Sequence, residues 1–66
     1  MQDIDIWRTA KVMVDQYGED APIIAAQRID ALLDLGDLDG RLVWKRVAAA
    51  IDELMAKERP HGMPLN

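Results

Sequence analysis

The sequence predicts an all-α protein: a compact three-helix bundle with a long third helix and a disordered C-terminal tail. Apolar residues recur every three or four positions through three segments, the spacing of one buried helix face. A glycine or a proline follows each segment, where such residues commonly end helices. No segment shows the alternation typical of a strand. We therefore expect one three-helix domain over residues 1–59 and a flexible tail over residues 60–66.

The first predicted helix begins near Asp3 or Asp5 and ends at Gly18. Either aspartate can accept hydrogen bonds from the free amides of the first turn and favours the positive end of the helix dipole. Gly18 suits the left-handed conformation that often closes a helix. The predicted buried face comprises Ile6, Trp7, Ala10, Met13, Val14 and Tyr17.

The second predicted helix opens at residues 19–22 and ends at Gly36. Asp20 is its predicted N-cap, and Pro22 is tolerated because first-turn amides have no partner within a helix. Alanines on its apolar arc would allow a neighbouring helix to approach closely. That arc comprises Ala21, Ile24, Ala25, Ile29, Leu32, Leu33 and Leu35.

The third predicted helix starts at Asp37 or Asp39, runs to about Lys57 and is stopped by Pro60, giving a length of about 30 Å. The short connections between the three segments make successive helices neighbours, which favours a bundle. The apolar stripe of this helix comprises Val43, Trp44, Val47, Ala50, Ile51, Leu54 and Met55.

The composition argues against an enzyme and predicts neither a cofactor nor a metal site. The chain has no Cys, no Ser, one Thr and one His, whereas nucleophilic catalysis and most metal sites need such side chains beside an oriented partner. The aspartates around Gly40 do not form an EF-hand loop. If Gly40 takes the sixth position, Leu35 and Arg46 fall at the first and twelfth positions, where ligands are required.

Charge and hydropathy constrain the partners and the location. The net charge of −4 argues against nucleic acid as the partner. No apolar run is long enough to cross a membrane, and the acidic N-terminus lacks the features of a signal peptide. Because the absence of Cys also fits a reducing compartment, we expect a cytoplasmic protein.

Arg28 lies inside the apolar arc of the second helix, and three interpretations of it remain open. Its stem can be buried at the edge of the arc with its charged head in water. It can form a structural ion pair with an acid from another segment. It can also anchor a ligand.

Several apolar residues lie on otherwise polar faces, and they indicate a surface for a partner if they meet. Leu42 is the clearest, and Leu38 and Val12 are similar. Such residues are ordinary when single, but a patch formed with Trp44 or Ile4 would mark an interface. Trp is frequent at interface hot spots, which makes Trp44 the better of the two tryptophans as an interface candidate.

A basic cluster of Arg41, Lys45 and Arg46 surrounds Trp44 on the third helix. It would steer an acidic partner towards the Trp44/Leu42 edge. The alternative is a nucleic-acid-associated regulator, because a basic third helix is also found in helix-turn-helix readers. The third helix is neutral overall, however, which weakens this alternative.

Five short motifs resemble those of a family of short bacterial helical proteins of unknown function. The resemblance covers most of residues 5–55, implies a compact helical fold and adds no activity. It draws attention to Arg28 and to the run over residues 44–46. The motifs are Trp7-Arg8-x-Ala10, Tyr17-Gly18-Glu19-Asp20-Ala21, Ala25-Ala26-x-Arg28, Gly36-Asp37-x-x-Gly40 and Val43-Trp44-Lys45-Arg46.

Together these features predict a cytoplasmic protein-interaction module that associates with itself, as a homodimer or larger homo-oligomer, or with another protein. The predicted seam is the Trp44/Leu42 edge of the third helix. Replacing Trp44 with Ala should then weaken association and leave helicity largely intact.

Overall fold

The structure, a computed structural model, describes residues 2–57, of which 93% are helical. Helix α1 spans Asp3–Tyr17, a 3₁₀ turn spans Gly18–Asp20, α2 spans Ala21–Asp34 and α3 spans Leu38–Lys57. No strand occurs between residues 2 and 57, so the all-α prediction is confirmed. The predicted stop at Pro60 and the predicted tail over residues 60–66 lie outside the described residues.

Helix α1 begins where the sequence predicts, but its cap differs from the prediction. Gln2 occupies the N-cap position, and its carbonyl oxygen accepts hydrogen bonds from the amides of Asp5 at 3.0 Å and Ile6 at 3.1 Å. No side chain caps this end. Asp3 and Asp5 instead lie inside the first turn, where their negative charge favours the positive end of the helix dipole.

The connection between α1 and α2 begins at Gly18. This glycine has φ 56° and ψ −127°, a combination that L side chains rarely adopt, and its amide donates to the carbonyl of Val14. Asp20 occupies the N-cap position of α2 as predicted, but its side chain makes no capping hydrogen bond. Asp20 has helical dihedral angles, φ −83° and ψ −9°, rather than the extended conformation from which an N-cap side chain reaches the first turn.

A single short turn closes α2 and opens α3. Gly36, at φ 76°, donates its amide to the carbonyl of Leu33 at 3.0 Å, and the amide of Asp37 donates to Leu32 at 2.9 Å. These two bonds form a Schellman motif, which satisfies the last carbonyls of a helix. The Asp37 Oδ1 then accepts the amide of Gly40 at 2.9 Å, so Asp37 is the N-cap of α3 as predicted.

We expect Asp37→Ala to lower the free energy of unfolding by about 1 kcal/mol, because the Gly40 amide loses its acceptor. Asp37→Asn keeps an acceptor oxygen at the same place and is the matched control, expected to retain most of the stability. Urea unfolding followed by far-UV circular dichroism measures both. An Asn variant as unstable as the Ala variant would mean that the negative charge, and not the hydrogen bond, stabilises this end of α3.

Helix α3 packs against both other helices and supplies the centre of the core. Helices α1 and α2 contact each other much less than either contacts α3. Four alanines are nearly inaccessible, so the helices approach closely where these residues meet. The buried core consists of Ile6, Ala10, Met13, Val14, Ala21, Ala25, Val47, Ala50 and Ile51.

Fewer residues are buried in the core than the predicted apolar faces contain. Trp7 and Tyr17 were expected inside the face of α1, but they are 39% and 42% exposed. On α2 only two alanines are fully buried, and Leu33 and Leu35 are exposed. Each of these helices packs mainly against one neighbour, α3, which covers the middle of an apolar stripe and leaves its edges accessible.

Candidate interaction surfaces

Arg28 and Trp44 are brought together between α2 and α3. They lie eight residues before and eight residues after Gly36, so the antiparallel turn places them opposite each other. The guanidinium carbon of Arg28 lies 4.9 Å from the centre of the Trp44 ring, a cation–π contact. Trp44 is half-buried and packs against the core.

This contact bears on two of the three interpretations of Arg28, and the third, that it anchors a ligand, stays a prediction. Its side chain is exposed and makes no ion pair with an acid among residues 2–57, so a buried ion pair is not formed there. Arg28 fits best the interpretation in which its stem lies at the edge of the apolar arc. The difference is that its guanidinium covers the face of the Trp44 ring. Because Trp44 also packs on the core, Trp44→Ala would remove core contacts, and loss of association in that variant would not by itself locate an interface.

We expect Arg28→Met to lower the free energy of unfolding by about 0.5–1 kcal/mol, since methionine keeps an apolar stem and a good helix propensity but loses the cation. Chemical unfolding monitored by tryptophan fluorescence measures the change. In a Trp44→Leu background the same substitution should have almost no effect, because the aromatic face is gone. An equal loss in both backgrounds would contradict a role for the ring.

The basic residues of α3 differ in exposure and are spread along one side of the helix. Arg41 is partly buried, and its Nε has no hydrogen-bond partner among the described residues. Arg46 is exposed and lines a small groove of about 210 Å³ together with Asp3 of α1 and Glu53. At about 100° per residue, Arg41 and Arg46 lie about 140° apart around the helix, with Lys45 between them.

Trp44 and Leu42 also lie on different sides of α3. Residues two positions apart on a helix do not face each other. Trp44 contacts Arg28 of α2, whereas Leu42 is 57% exposed. The structure therefore does not combine them into the single edge that the sequence suggested.

A surface that the sequence analysis did not single out lies around Trp7. It is an open, mostly apolar groove of about 600 Å³ between the outer side of α1 and one residue of α3. We call it the Trp7 groove, and it is lined by Ile4, Trp7, Arg8, Lys11, Val12 and Leu54. The sequence signal for it was present in Val12 and Ile4, which meet near Trp7 instead of Trp44.

Two basic side chains line the Trp7 groove, and one of them is paired with an acid. Arg8 is exposed at its edge, and Lys11 pairs with Asp15 at 3.2 Å on the surface of α1. Such exposed pairs contribute little to stability, typically about 0.3–0.5 kcal/mol. The groove therefore combines exposed apolar side chains with positive charge.

A second exposed apolar surface lies at the turn between α2 and α3. Leu35 is 79% exposed, and Leu38 and Leu42 follow on the first turns of α3, four positions apart and hence on one side of the helix. We call Leu35, Leu38 and Leu42 the leucine tip. Residues 30–40 contain four aspartates, whereas Arg41, Lys45 and Arg46 lie next to Leu38 and Leu42 on α3, so the leucine tip is surrounded by charges of both signs.

Metal-binding clusters and membrane-spanning helices are both absent from residues 2–57. No group of three or more His, Cys, Asp or Glu side chains there is arranged to hold a metal ion. None of the helices in this range combines the length and the apolar character needed to cross a membrane.

The fold defines this chain as an all-helical protein with exposed apolar side chains around Trp7 and at the turn between α2 and α3. Comparisons with protein-family models, with curated proteins and with solved structures found no match. The resemblance to a bacterial family of short helical proteins therefore stays a prediction.

Proposed function

We propose that this chain is a small helical protein-interaction module that associates with itself, and that α1, α2 and α3 form a three-helix bundle presenting its binding surfaces. The observation that carries the proposal is the Trp7 groove, in which large apolar side chains remain accessible beside a positive charge. Apolar patches of this kind mark interaction sites in many proteins. The bacterial and cytoplasmic setting predicted from the sequence is part of the same proposal.

The size of the chain supports self-association. A domain of about 60 residues buries only about 60% of the surface of its unfolded chain, so its core alone supplies marginal stability. Binding of a second copy to the folded state adds stability by mass action. An aromatic anchor such as Trp7, which is partly exposed before binding, is typical of interface hot spots.

The test is the molar mass in solution by light scattering over a concentration range of about a hundredfold. We expect the mass to rise with concentration from that of one 7.4 kDa chain to a multiple of it. A mass that stays at one chain at every concentration would overturn self-association.

The alternative function, a nucleic-acid-associated regulator, uses Arg41, Lys45 and Arg46 as phosphate contacts. The acidic net charge speaks against it. The test is the fluorescence anisotropy of labelled mixed-sequence DNA and RNA. Binding at low salt that falls steeply towards physiological salt would support this alternative, and the absence of binding at low salt would end it.

A further inference from the structure

The described part of the chain ends beside the Trp7 groove. Leu54 forms the α3 side of this groove. Lys57, the last described residue, lies three positions further along α3, and residues at this spacing lie on the same side of a helix, about one turn apart. Residues 58–66 therefore start next to the groove.

The sequence of residues 58–66 directs the chain away from the axis of α3. Pro60 has no amide hydrogen to donate, and its ring disfavours the helical conformation at Arg59. Pro64 disfavours the same conformation at Met63. An extended conformation is therefore favoured around both prolines, and in that conformation the segment can run along α1.

The segment is long enough to cover the groove. The α1 side of the groove extends from Ile4 to Val12, eight positions or about 12 Å along the helix axis. The eight residues from Glu58 to Leu65 span up to about 26 Å when they are extended. The end of the segment can therefore reach Trp7 without any movement of α1 or α3.

The side chains of the segment suit an apolar, aromatic groove. Its large apolar residues are Met63 and Leu65, and methionine adapts to irregular apolar surfaces and makes favourable contacts with aromatic rings. Extended segments that contain proline typically bind grooves lined by aromatic side chains, and Trp7 is the aromatic residue here. The open space of about 600 Å³ has room for both apolar side chains.

From these observations we propose that residues 58–66 fold back over the Trp7 groove of their own chain and place Met63 and Leu65 against Trp7. Because the segment is tethered close to the groove, its effective concentration there is on the order of millimolar. A second copy at micromolar concentration has to compete with it. The segment therefore limits self-association, and this part of the inference rests on the function proposed above.

The contact can be tested with a spin label, because the chain has no Cys and a single introduced Cys is labelled alone. An isotope-labelled Asn66→Cys variant carries a nitroxide next to Leu65. We expect the nitroxide to broaden the amide resonances of Arg8 and Val12. Mixing spin-labelled chains with isotope-labelled chains that carry no spin label reports contacts between copies, and at low concentration this mixture should show no broadening.

Substitutions on either side of the contact should weaken the broadening. Met63→Gln with Leu65→Gln removes the apolar side chains of the segment, and Val12→Gln removes one from the groove. Either change should reduce the broadening at Arg8. Leu35→Gln is the matched control, because Leu35 is exposed but lies outside the groove, so it should leave the broadening unchanged.

Two results would overturn the fold-back contact. One is an absence of broadening at Arg8 and Val12, or broadening that persists equally when Met63 and Leu65 are replaced. The other is broadening that appears only in the mixture of differently labelled chains, which would place the segment on a second copy instead of on its own chain.

Light scattering tests the effect on self-association. If the segment occupies the groove for about 70–90% of the time, the Met63→Gln, Leu65→Gln variant should have a dissociation constant of self-association about threefold to tenfold lower than that of the wild type. The far-UV circular dichroism spectrum should stay the same, because both substitutions lie outside α1, α2 and α3.

The failure of the proposed function and the failure of this inference give different results. If the wild type and the variant both stay at one chain at every concentration, self-association is overturned, and the spin label still decides on the fold-back contact. If the variant associates no more strongly than an associating wild type, self-association stands and its limitation by residues 58–66 is overturned.

Discussion

Replacing Ile51 with Ala is expected to lower the free energy of unfolding by about 2–5 kcal/mol and to leave much of the chain unfolded near physiological temperature. Ile51 is one of the two largest fully buried side chains of residues 2–57. It lies on α3, which is the helix that both α1 and α2 pack against. A cavity at this position therefore removes packing contacts at the centre of the core, and a core this small has few other contacts that could replace them.

Two controls separate cavity formation from other effects of the Ile51→Ala change. Ile51→Val removes a single methylene and is expected to cost about 0.5–1.5 kcal/mol. Ile23→Ala removes a similar side chain from an exposed site and should change the free energy of unfolding by no more than about 0.5 kcal/mol. Urea unfolding of the three variants measures these values at a protein concentration low enough to keep self-association out. An Ile51→Ala variant as stable as Ile23→Ala would mean that the core lies elsewhere.

The second large effect is expected for Ala25→Leu, which should lower the free energy of unfolding by about 1–3 kcal/mol. Ala25 has no accessible surface and belongs to the buried core, where α2 approaches its neighbours closely. A leucine there must displace a helix or adopt a strained rotamer. The measurement is thermal unfolding followed by circular dichroism.

The next residue provides a matched control for that substitution. Ala26 belongs to the same helix but is exposed. Ala26→Leu therefore has the same chemical change and the same helix propensity term, without a neighbour to displace, and should leave the unfolding temperature close to that of the wild type. Equal destabilisation by both variants would mean that helix propensity, rather than packing, sets the effect.

The helix ends show which structural features can be predicted from residues that are close together in the sequence. Gly36 and Asp37 close α2 and open α3 as their positions predict, and Gly18 ends α1 at a positive φ, although its ψ of −127° is not that of the left-handed helical conformation. The missing capping hydrogen bond at Asp20 also has a local cause, because the 3₁₀ turn over Gly18–Asp20 already gives Asp20 helical dihedral angles. Pattern recognition identified an acceptable cap residue but not the conformation of the backbone before it.

The candidate surfaces show which features cannot be predicted from residues that are close together in the sequence. The exposure of Leu42, Leu38 and Val12 was predicted correctly, since each interrupts a polar face. Their neighbours were not predicted: Val12 lies in a groove with Trp7, and Leu42 is separated from Trp44 around α3. A helical wheel gives the direction of a residue about its own helix but not which other helix lies there.

The sequence by itself determined that this protein is helical and nearly where its helices begin and end, because caps, turns and apolar periodicity depend on residues a few positions apart. Only the tertiary structure decided that Arg28 covers the ring of Trp44, that Trp7 lines an open groove, and that the buried core takes only part of each predicted apolar face. These features depend on how α1 and α2 each lie against α3. That geometry arises from packing between residues far apart in the chain, which no local pattern records.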